Sequence, residues 1–168
     1  VNWVTGAAAN AAPSVVTLGV NSDTSSGSGS GVILTEDGYI LTNAHVVTLS
    51  GLTEDAQIAV QLSTGEVYRA KLVGFDPVYD LAVIKINATG LKPIVFTDSE
   101  QLNVGQDVVA IGAPLGLAST VTQGIISALN RTIQVASSEV NGDSGLQFWT
   151  GSGSAPISLQ VIQTDAAI

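Results

Sequence analysis

The amino-acid sequence predicts an all-β protein whose strands fall into two clusters. Short stretches rich in Val and Ile recur along the chain, separated by Gly, Asn, Asp, Ser and Pro, which is typical of strands joined by turns. Helical periodicity is almost absent. Charged residues are only 11% of the 168 residues, a composition that favours short strands and loops over charged amphipathic helices.

The first cluster contains enough strands to close a six-stranded barrel. Its predicted strands are residues 14–20, 31–35, 39–43, 57–62, 66–75 and 81–86. Asp37-Gly38 is a hairpin turn signal between the second and third of these strands. The stretch NSDTSSGSGS at 21–30 is expected to be a flexible loop, and AHVV at 44–47 is expected to turn into the loop after the third strand.

The second cluster is shorter and predicts an incomplete barrel. Strands are expected at 107–112, 120–130 and 157–168, and residues 131–136 leave a further strand open. The predicted organisation is an N-terminal segment at 1–13, a first β-barrel at 14–86, a connector at 87–106 and a partial second β-barrel at 107–168.

The composition excludes several classes of function. The formal charge is −9, and no cluster of Lys and Arg offers the positive surface that nucleic acids or anionic membranes need. The chain has no Cys, which excludes disulfides, a thiol nucleophile and thiolate zinc sites. Because one His stands without Cys among scattered carboxylates, we expect no metal site.

His45 and Asp80 are the candidate catalytic residues. His45 lies in TNAHVV directly after a predicted strand, which is the rigid mounting at a cleft that a general base needs. Asp80 abuts the strand LAVIKI, where a carboxylate can accept a hydrogen bond from an imidazole and fix its tautomer. Asp76 competes in the same segment, but Asp76-Pro77 is typical of a turn. Asp80 is therefore the better candidate.

Four phrases carry a family resemblance. They are SGSGVILTEDGYILTNAHVV, FDPVYDLAVIKI, IGAPLGLASTVTQGIISALNR and IQTDAAI. In this order and spacing they resemble the protease domain of HtrA/DegP-type serine proteases, and the resemblance runs over most of the chain from Ser14 onward. It implies a chymotrypsin-like fold of two β-barrels with the active site between them. It also implies that His45 is the general base and Asp80 the acidic member of a Ser-His-Asp triad, with no cofactor.

The same resemblance implies a setting for the intact enzyme. It predicts an endopeptidase that cleaves unfolded or damaged proteins, a homotrimer and a C-terminal PDZ domain. It further predicts an export signal or membrane anchor that places the enzyme outside the cytoplasm, in the periplasm or at the cell surface. Trp3 belongs either to a trimer contact or to a loosely ordered N-terminus.

Ser144 is the residue that a motif search would first select as nucleophile. It stands in NGDSG at 141–145, but Leu146 replaces the second Gly of the nucleophile phrase, and the residues that follow are too few to complete a barrel and a pocket. In the HtrA/DegP-type family, IQTDAAI leads directly into the phrase that holds the nucleophile. We therefore interpret NGDSG as a surface turn and expect the serine just beyond Ile168.

Two functions follow from this interpretation. The main hypothesis is a serine endopeptidase domain that is inactive as the 168-residue chain alone. The alternative is a non-catalytic β-barrel module or pseudo-protease, which would bind a peptide or partner by adding it to an exposed strand edge.

Overall fold

The computed structural model describes residues 2–112, 120–135 and 156–167. In chain order its elements are α1 (Trp3–Ala11), β1 (Val15–Asn21), β2 (Ser26–Ile33), β3 (Tyr39–Thr42), α2 (Ala44–Val47), β4 (Gln57–Gln61), β5 (Val67–Asp76), β6 (Leu81–Ile86), β7 (Asp107–Gly112), β8 (Thr120–Val135) and β9 (Ile157–Thr164), with 3-10 turns at Ala12–Ser14 and Ser99–Gln101.

The first six strands form a closed barrel around an aliphatic core. Their order is β1-β2-β3-β6-β5-β4, and every neighbouring pair is antiparallel. Because successive side chains of a strand point to opposite faces, alternate residues reach the interior. Completely buried examples are Leu18, Val20, Ile40, Val60 and Ile84. The predicted six-stranded barrel is confirmed.

Strand β2 shows that the prediction of a flexible loop at 21–30 was wrong for its second half. Within β2, glycines alternate with serines. A Cβ added at Gly29 would lie 2.8 Å from both Cγ atoms of Val46, and one added at Gly31 would lie 2.8 Å from Ile40. The glycines therefore face the packed side of the strand, where a side chain has no room. The composition is that of a linker, but the period of two is that of a strand.

The second sheet contains three antiparallel strands among the described residues, in the order β7-β8-β9. Among the described residues the second unit is thus a partial sheet, as predicted. The sequence left open whether a separate strand begins at residue 131, and the structure shows one long strand, β8, over Thr120–Val135. Its pairing with β9 shifts register on both sides of Ala128, and Asn130 has a φ of +55°. Such bulges let a strand bend without ending it.

The N-terminal segment forms a helix that the sequence did not predict. The Asn2 side chain accepts a hydrogen bond from the N–H of Val4 at 2.9 Å and caps α1. At the other end, the Nζ of Lys92 donates to the backbone carbonyl of Asn10 at 2.6 Å. No residue of α1 is buried, although the helix contacts β7. No helix in the described part of the chain combines the length and apolar character of a membrane span.

Candidate active site

The ladder between β3 and β6 brings the two predicted site residues together. Thr42 pairs with Ala82 at the end of this antiparallel ladder. The chain that leaves β3 and the chain that enters β6 therefore lie side by side at one end of the barrel. His45 follows Thr42 and Asp80 precedes Ala82, so the register makes them neighbours although they are 35 positions apart.

Asp80 contacts His45 through both carboxylate oxygens. Its Oδ1 accepts a hydrogen bond from the backbone N–H of His45 at 2.8 Å, and its Oδ2 lies 2.7 Å from the ring Nδ1 of His45. The first contact satisfies one of the N–H groups at the start of α2 that have no partner within the helix. The second orients the ring: when Nδ1 donates, Nε2 carries the lone pair.

Asp80 is itself held in an uncommon backbone conformation. Its φ is +54°, in the left-handed region that Asp and Asn enter more readily than other non-glycine residues. Such a conformation costs on the order of 1–3 kcal/mol and persists where surrounding contacts enforce it. The side-chain amide of Asn43 supplies one such contact, because it donates to the backbone carbonyl of Asp80 at 2.9 Å. Asn43 is the N-cap residue of α2 but makes no capping bond with its side chain, and the Asp80 carboxylate takes over that role.

Asp76, the competing carboxylate, has a different role in the structure. Its Oδ1 accepts hydrogen bonds from the N–H groups of Val78 and Tyr79 at 2.8 and 3.2 Å. This is the turn chemistry that Asp76-Pro77 predicts. Of the two candidate acids, the structure thus brings Asp80 to His45.

The two side chains of the pair differ in their exposure. The side chain of His45 is 52% exposed, whereas that of Asp80 is 11% exposed. Solvent therefore reaches the imidazole, while the carboxylate behind it is shielded. This is the arrangement in which a carboxylate orients a base without reacting itself.

The helix α2 holds His45 against the barrel. The prediction that AHVV turns directly into a loop was therefore wrong. Ala44 and Val47 are buried at 0% and 1% exposure, so one face of this single turn packs on the barrel. The hydroxyl of Thr48 donates to the carbonyl of Ala44 at 2.8 Å and closes the turn. His45 thus sits on a short helix directly after the strand end.

Three successive residues after α2 are left-handed. The φ values of Leu49, Ser50 and Gly51 are +51°, +60° and +83°. The N–H of Ser50 donates to the carbonyl of His45 at 2.7 Å, and the N–H of Gly51 donates to the hydroxyl of Thr48 at 3.0 Å. A left-handed Leu is a genuine outlier, and such residues concentrate at functional sites. This segment, which we name the left-handed turn, is thus anchored directly to His45.

Asn43 contributes to the site, although it was not predicted as a site residue. Asn43, which sequence reasoning treated only as a small residue before His45, fastens the backbone of Asp80. Its place in TNAHVV, between a strand and the candidate base, was the available signal.

Ser144 and the NGDSG phrase lie outside the described residues. Within the described ranges, no three His, Asp or Glu side chains come together as metal ligands would.

Comparisons with known proteins agree with this geometry. Residues 29–167 match the family model of the trypsin-like peptidase domain. The chain is 41% identical over 166 residues to the serine protease PepD of Mycobacterium tuberculosis, covering 96% of this chain and 33% of PepD. It is 53% identical over 105 residues to a probable periplasmic serine endoprotease, DegP-like, of Halomonas elongata, covering 62% of this chain and 21% of that protein.

Solved structures are also similar to this chain in fold and sequence. The HtrA-type protease AlgW with tripeptide superposes with a TM-score of 0.70 at 38% identity, covering 80% of this chain and 46% of AlgW. Deg5 superposes with a TM-score of 0.70 at 33% identity, covering 98% of this chain and 73% of Deg5.

A trypsin-like barrel that holds a His-Asp pair at one end defines the class as a serine protease domain. The chain belongs to the trypsin-like peptidase family, and its relatives place it among the HtrA/DegP-type serine proteases. It spans about a fifth to a third of the length of the curated relatives it matches.

Proposed function

We propose that this domain hydrolyses peptide bonds by a Ser-His-Asp mechanism in which His45 is the general base and Asp80 its orienting acid. The observation that carries the proposal is the two-point contact of the Asp80 carboxylate, at 2.8 Å to the backbone N–H and 2.7 Å to Nδ1 of His45. The contact with the backbone N–H holds the carboxylate in place, and the contact with Nδ1 then orients the ring.

The proposed chemistry follows from the position of the ring. The exposed imidazole of His45 takes the proton of a serine hydroxyl at Nε2 as that oxygen attacks the substrate carbonyl, and later gives the proton to the leaving amine. Asp80 keeps Nδ1 protonated and stabilises the imidazolium that forms. The oxyanion is stabilised by backbone N–H groups near the serine.

For the nucleophile we propose a serine other than Ser144, in the phrase that the family resemblance places directly after IQTDAAI. The support is the order of the motifs: NGDSG comes before the strand β9 and IQTDAAI ends it. By this proposal His45 and Asp80 form the proton-transfer pair, and Ser144 takes no part in the reaction.

The proposed substrates are unfolded or damaged proteins, cleaved outside the cytoplasm. Relatives named periplasmic serine endoproteases support protein substrates and a location outside the cytoplasm. The choice of unfolded or damaged proteins comes from the family resemblance. A homotrimer with a PDZ domain, and a contribution of Trp3 to the trimer contact, remain predictions from the family resemblance. Trp3 is 46% exposed on a helix with no buried residue, which leaves it accessible to a partner.

Hydrolysis of unfolded casein by the full-length gene product tests the proposal. We expect His45→Ala to abolish hydrolysis while the protein keeps its cooperative unfolding, because the ring is half exposed and supports little packing. Hydrolysis that persists in the His45→Ala variant would overturn the mechanism. Casein that binds without being cut by the unmodified protein would favour the peptide-binding module instead.

A further inference from the structure

The chain that leaves β9 is fastened to β8 by side chains as well as by its backbone. The ladder between the two strands ends where Ile126 pairs with Thr164. Beyond that pair, the N–H of Ile125 donates to the Oδ1 of Asp165 at 2.7 Å. The carbonyl of Ile125 accepts from the hydroxyl of Thr164 at 2.9 Å and from the N–H of Asp165 at 3.3 Å. Both backbone groups of Ile125 therefore hold the end of β9.

The same segment also packs closely against the backbone of β8. A Cβ added at Gly124 would clash with the Oδ1 of Asp165 and with the backbone nitrogen of Ala166. Ala166 is 8% exposed, and its N–H donates to the hydroxyl of Thr164 at 3.1 Å. Since Gly124 is the residue that permits this approach, the path of the chain after β9 is fixed by contacts with β8.

Asp165 makes the same kind of contact as Asp80. In each case a carboxylate Oδ1 accepts a hydrogen bond from a backbone N–H of another segment, at 2.7 Å for Asp165 and 2.8 Å for Asp80. Hydrogen bonds to an ionised carboxylate are stronger than neutral ones. The pairing of β9 does not depend on this bond, because the backbone ladder with β8 already extends from Ile157 to Thr164. The carboxylate instead determines where the chain goes once the ladder has ended.

We propose that Asp165 is a positioning residue, which sets the path of the chain from β9 into the phrase that carries the nucleophile. The inference rests on the proposed function, in which the serine lies in the phrase directly after IQTDAAI. Asp165 is part of that motif. A displacement of about 1 Å can cost about 10²-fold in rate. The anchor of this segment on β8 therefore bears on the distance between the serine and His45.

Two variants of Asp165 in the full-length gene product test the proposal with a fluorogenic peptide substrate. Asp165→Ala removes the acceptor for the Ile125 N–H. We expect it to lower kcat by about tenfold or more with KM unchanged, while urea unfolding shows the protein to be folded under the assay conditions. Asp165→Asn keeps an oxygen that can accept the same bond, so its kcat should stay within about threefold of the unmodified value. The rate of labelling by a fluorophosphonate probe should follow kcat, because the probe reports the reactivity of the serine itself.

The matched control is Asp107→Ala, since Asp107 is an exposed aspartate that pairs with Ile125 from the opposite strand, β7. This variant is expected to retain the unmodified kcat. Thr164→Val removes the hydroxyl that binds Ile125 with little change in shape, and we expect it to lower kcat in the same direction.

An unchanged kcat in Asp165→Ala, or in Thr164→Val if the Ala variant does not fold, would overturn the positioning role. An Asn variant as slow as the Ala variant would overturn it too, because the oxygen acceptor would then not be what matters. In each case hydrolysis that still depends on His45 leaves the peptidase function intact. Hydrolysis that is independent of His45 would overturn the peptidase function itself.

Discussion

The carboxylate of Asp80 holds both the backbone and the side chain of His45. Its Oδ1 accepts a hydrogen bond from the backbone N–H at 2.8 Å, and its Oδ2 lies 2.7 Å from the ring Nδ1. The backbone contact fixes where α2 begins, and the ring contact fixes which way the imidazole points. Local folding and orientation of the base thus depend on the same side chain. Substitutions at this position can separate the two effects, because Asn and Ala remove different parts of the contact.

Asp80→Asn is expected to lower kcat by about 10⁴-fold with little loss of stability. The amide oxygen of Asn can still accept from the His45 N–H, and Asn tolerates the left-handed φ of +54°. The amide nitrogen, however, then faces Nδ1 and forces the ring into the wrong tautomer. Steady-state kinetics together with urea unfolding of both proteins measure the two effects, and an Asn variant with near-normal kcat would contradict the assigned role.

Asp80→Ala is expected to be destabilising as well as inactive. Ala has no acceptor for the His45 N–H, and the left-handed conformation costs it roughly 1–2 kcal/mol. Adding the hydrogen bonds lost to the carboxylate, we expect a drop of about 2–4 kcal/mol in the free energy of unfolding. Asp80→Gly is the control, because Gly also loses the hydrogen bonds but accepts the positive φ, so it should be less destabilised than Ala.

Asn43→Ala is expected to lower kcat about fivefold and leave KM unchanged, since the loss of one hydrogen bond of about 1 kcal/mol frees the Asp80 backbone without touching the substrate. Asn87→Ala is the matched control, because Asn87 is exposed at the end of β6. Equal kcat values in the two variants would show that the 2.9 Å contact between Asn43 and Asp80 does not position the pair.

Gly29→Ala is expected to destabilise the protein by about 1–3 kcal/mol through overpacking. Its new Cβ would meet both Cγ atoms of Val46, a β-branched residue that cannot move them aside by a small rotation. Gly19→Ala serves as control, because a Cβ at Gly19 has nothing within 4 Å. Thermal unfolding of the two variants measures the difference in stability. Equal stabilities would mean that α2 shifts to accommodate the added methyl group.

How far the sequence predicts this site depends on which interactions are local. The strands β3 and β6 follow directly from runs of Ile, Leu and Val, and His45 and Asp80 were selected because they flank those runs. Their contact, however, follows from the pairing of Thr42 with Ala82, a long-range register that no local pattern encodes. The family resemblance, which covers both phrases, was the source of the pairing.

Two of the errors have a common physical origin. The strand character of residues 26–30 and the helix α2 both depend on contacts with another segment: Gly29 lies against Val46, and Asp80 binds the start of α2. From composition alone, residues 26–30 were predicted to belong to a flexible loop, and residues 44–47 were predicted to turn into a loop. The helix α1 differs, because its cap at Asn2 is local and the Ala-rich stretch after it favours a helix. That signal was present and was missed.

Ser144 is not expected to react as a nucleophile. A fluorophosphonate probe acylates serines that an adjacent base activates, so it reports the nucleophile without the need for a substrate. We expect the 168-residue chain to remain unlabelled, and we expect Ser144→Ala in the full-length gene product to leave kcat unchanged. Peptide mapping of the labelled full-length protein should place the probe on a serine outside residues 141–145. A label on Ser144 that disappears in the His45→Ala variant would reverse this assignment, because it would show that the imidazole held by Asp80 activates the serine of NGDSG.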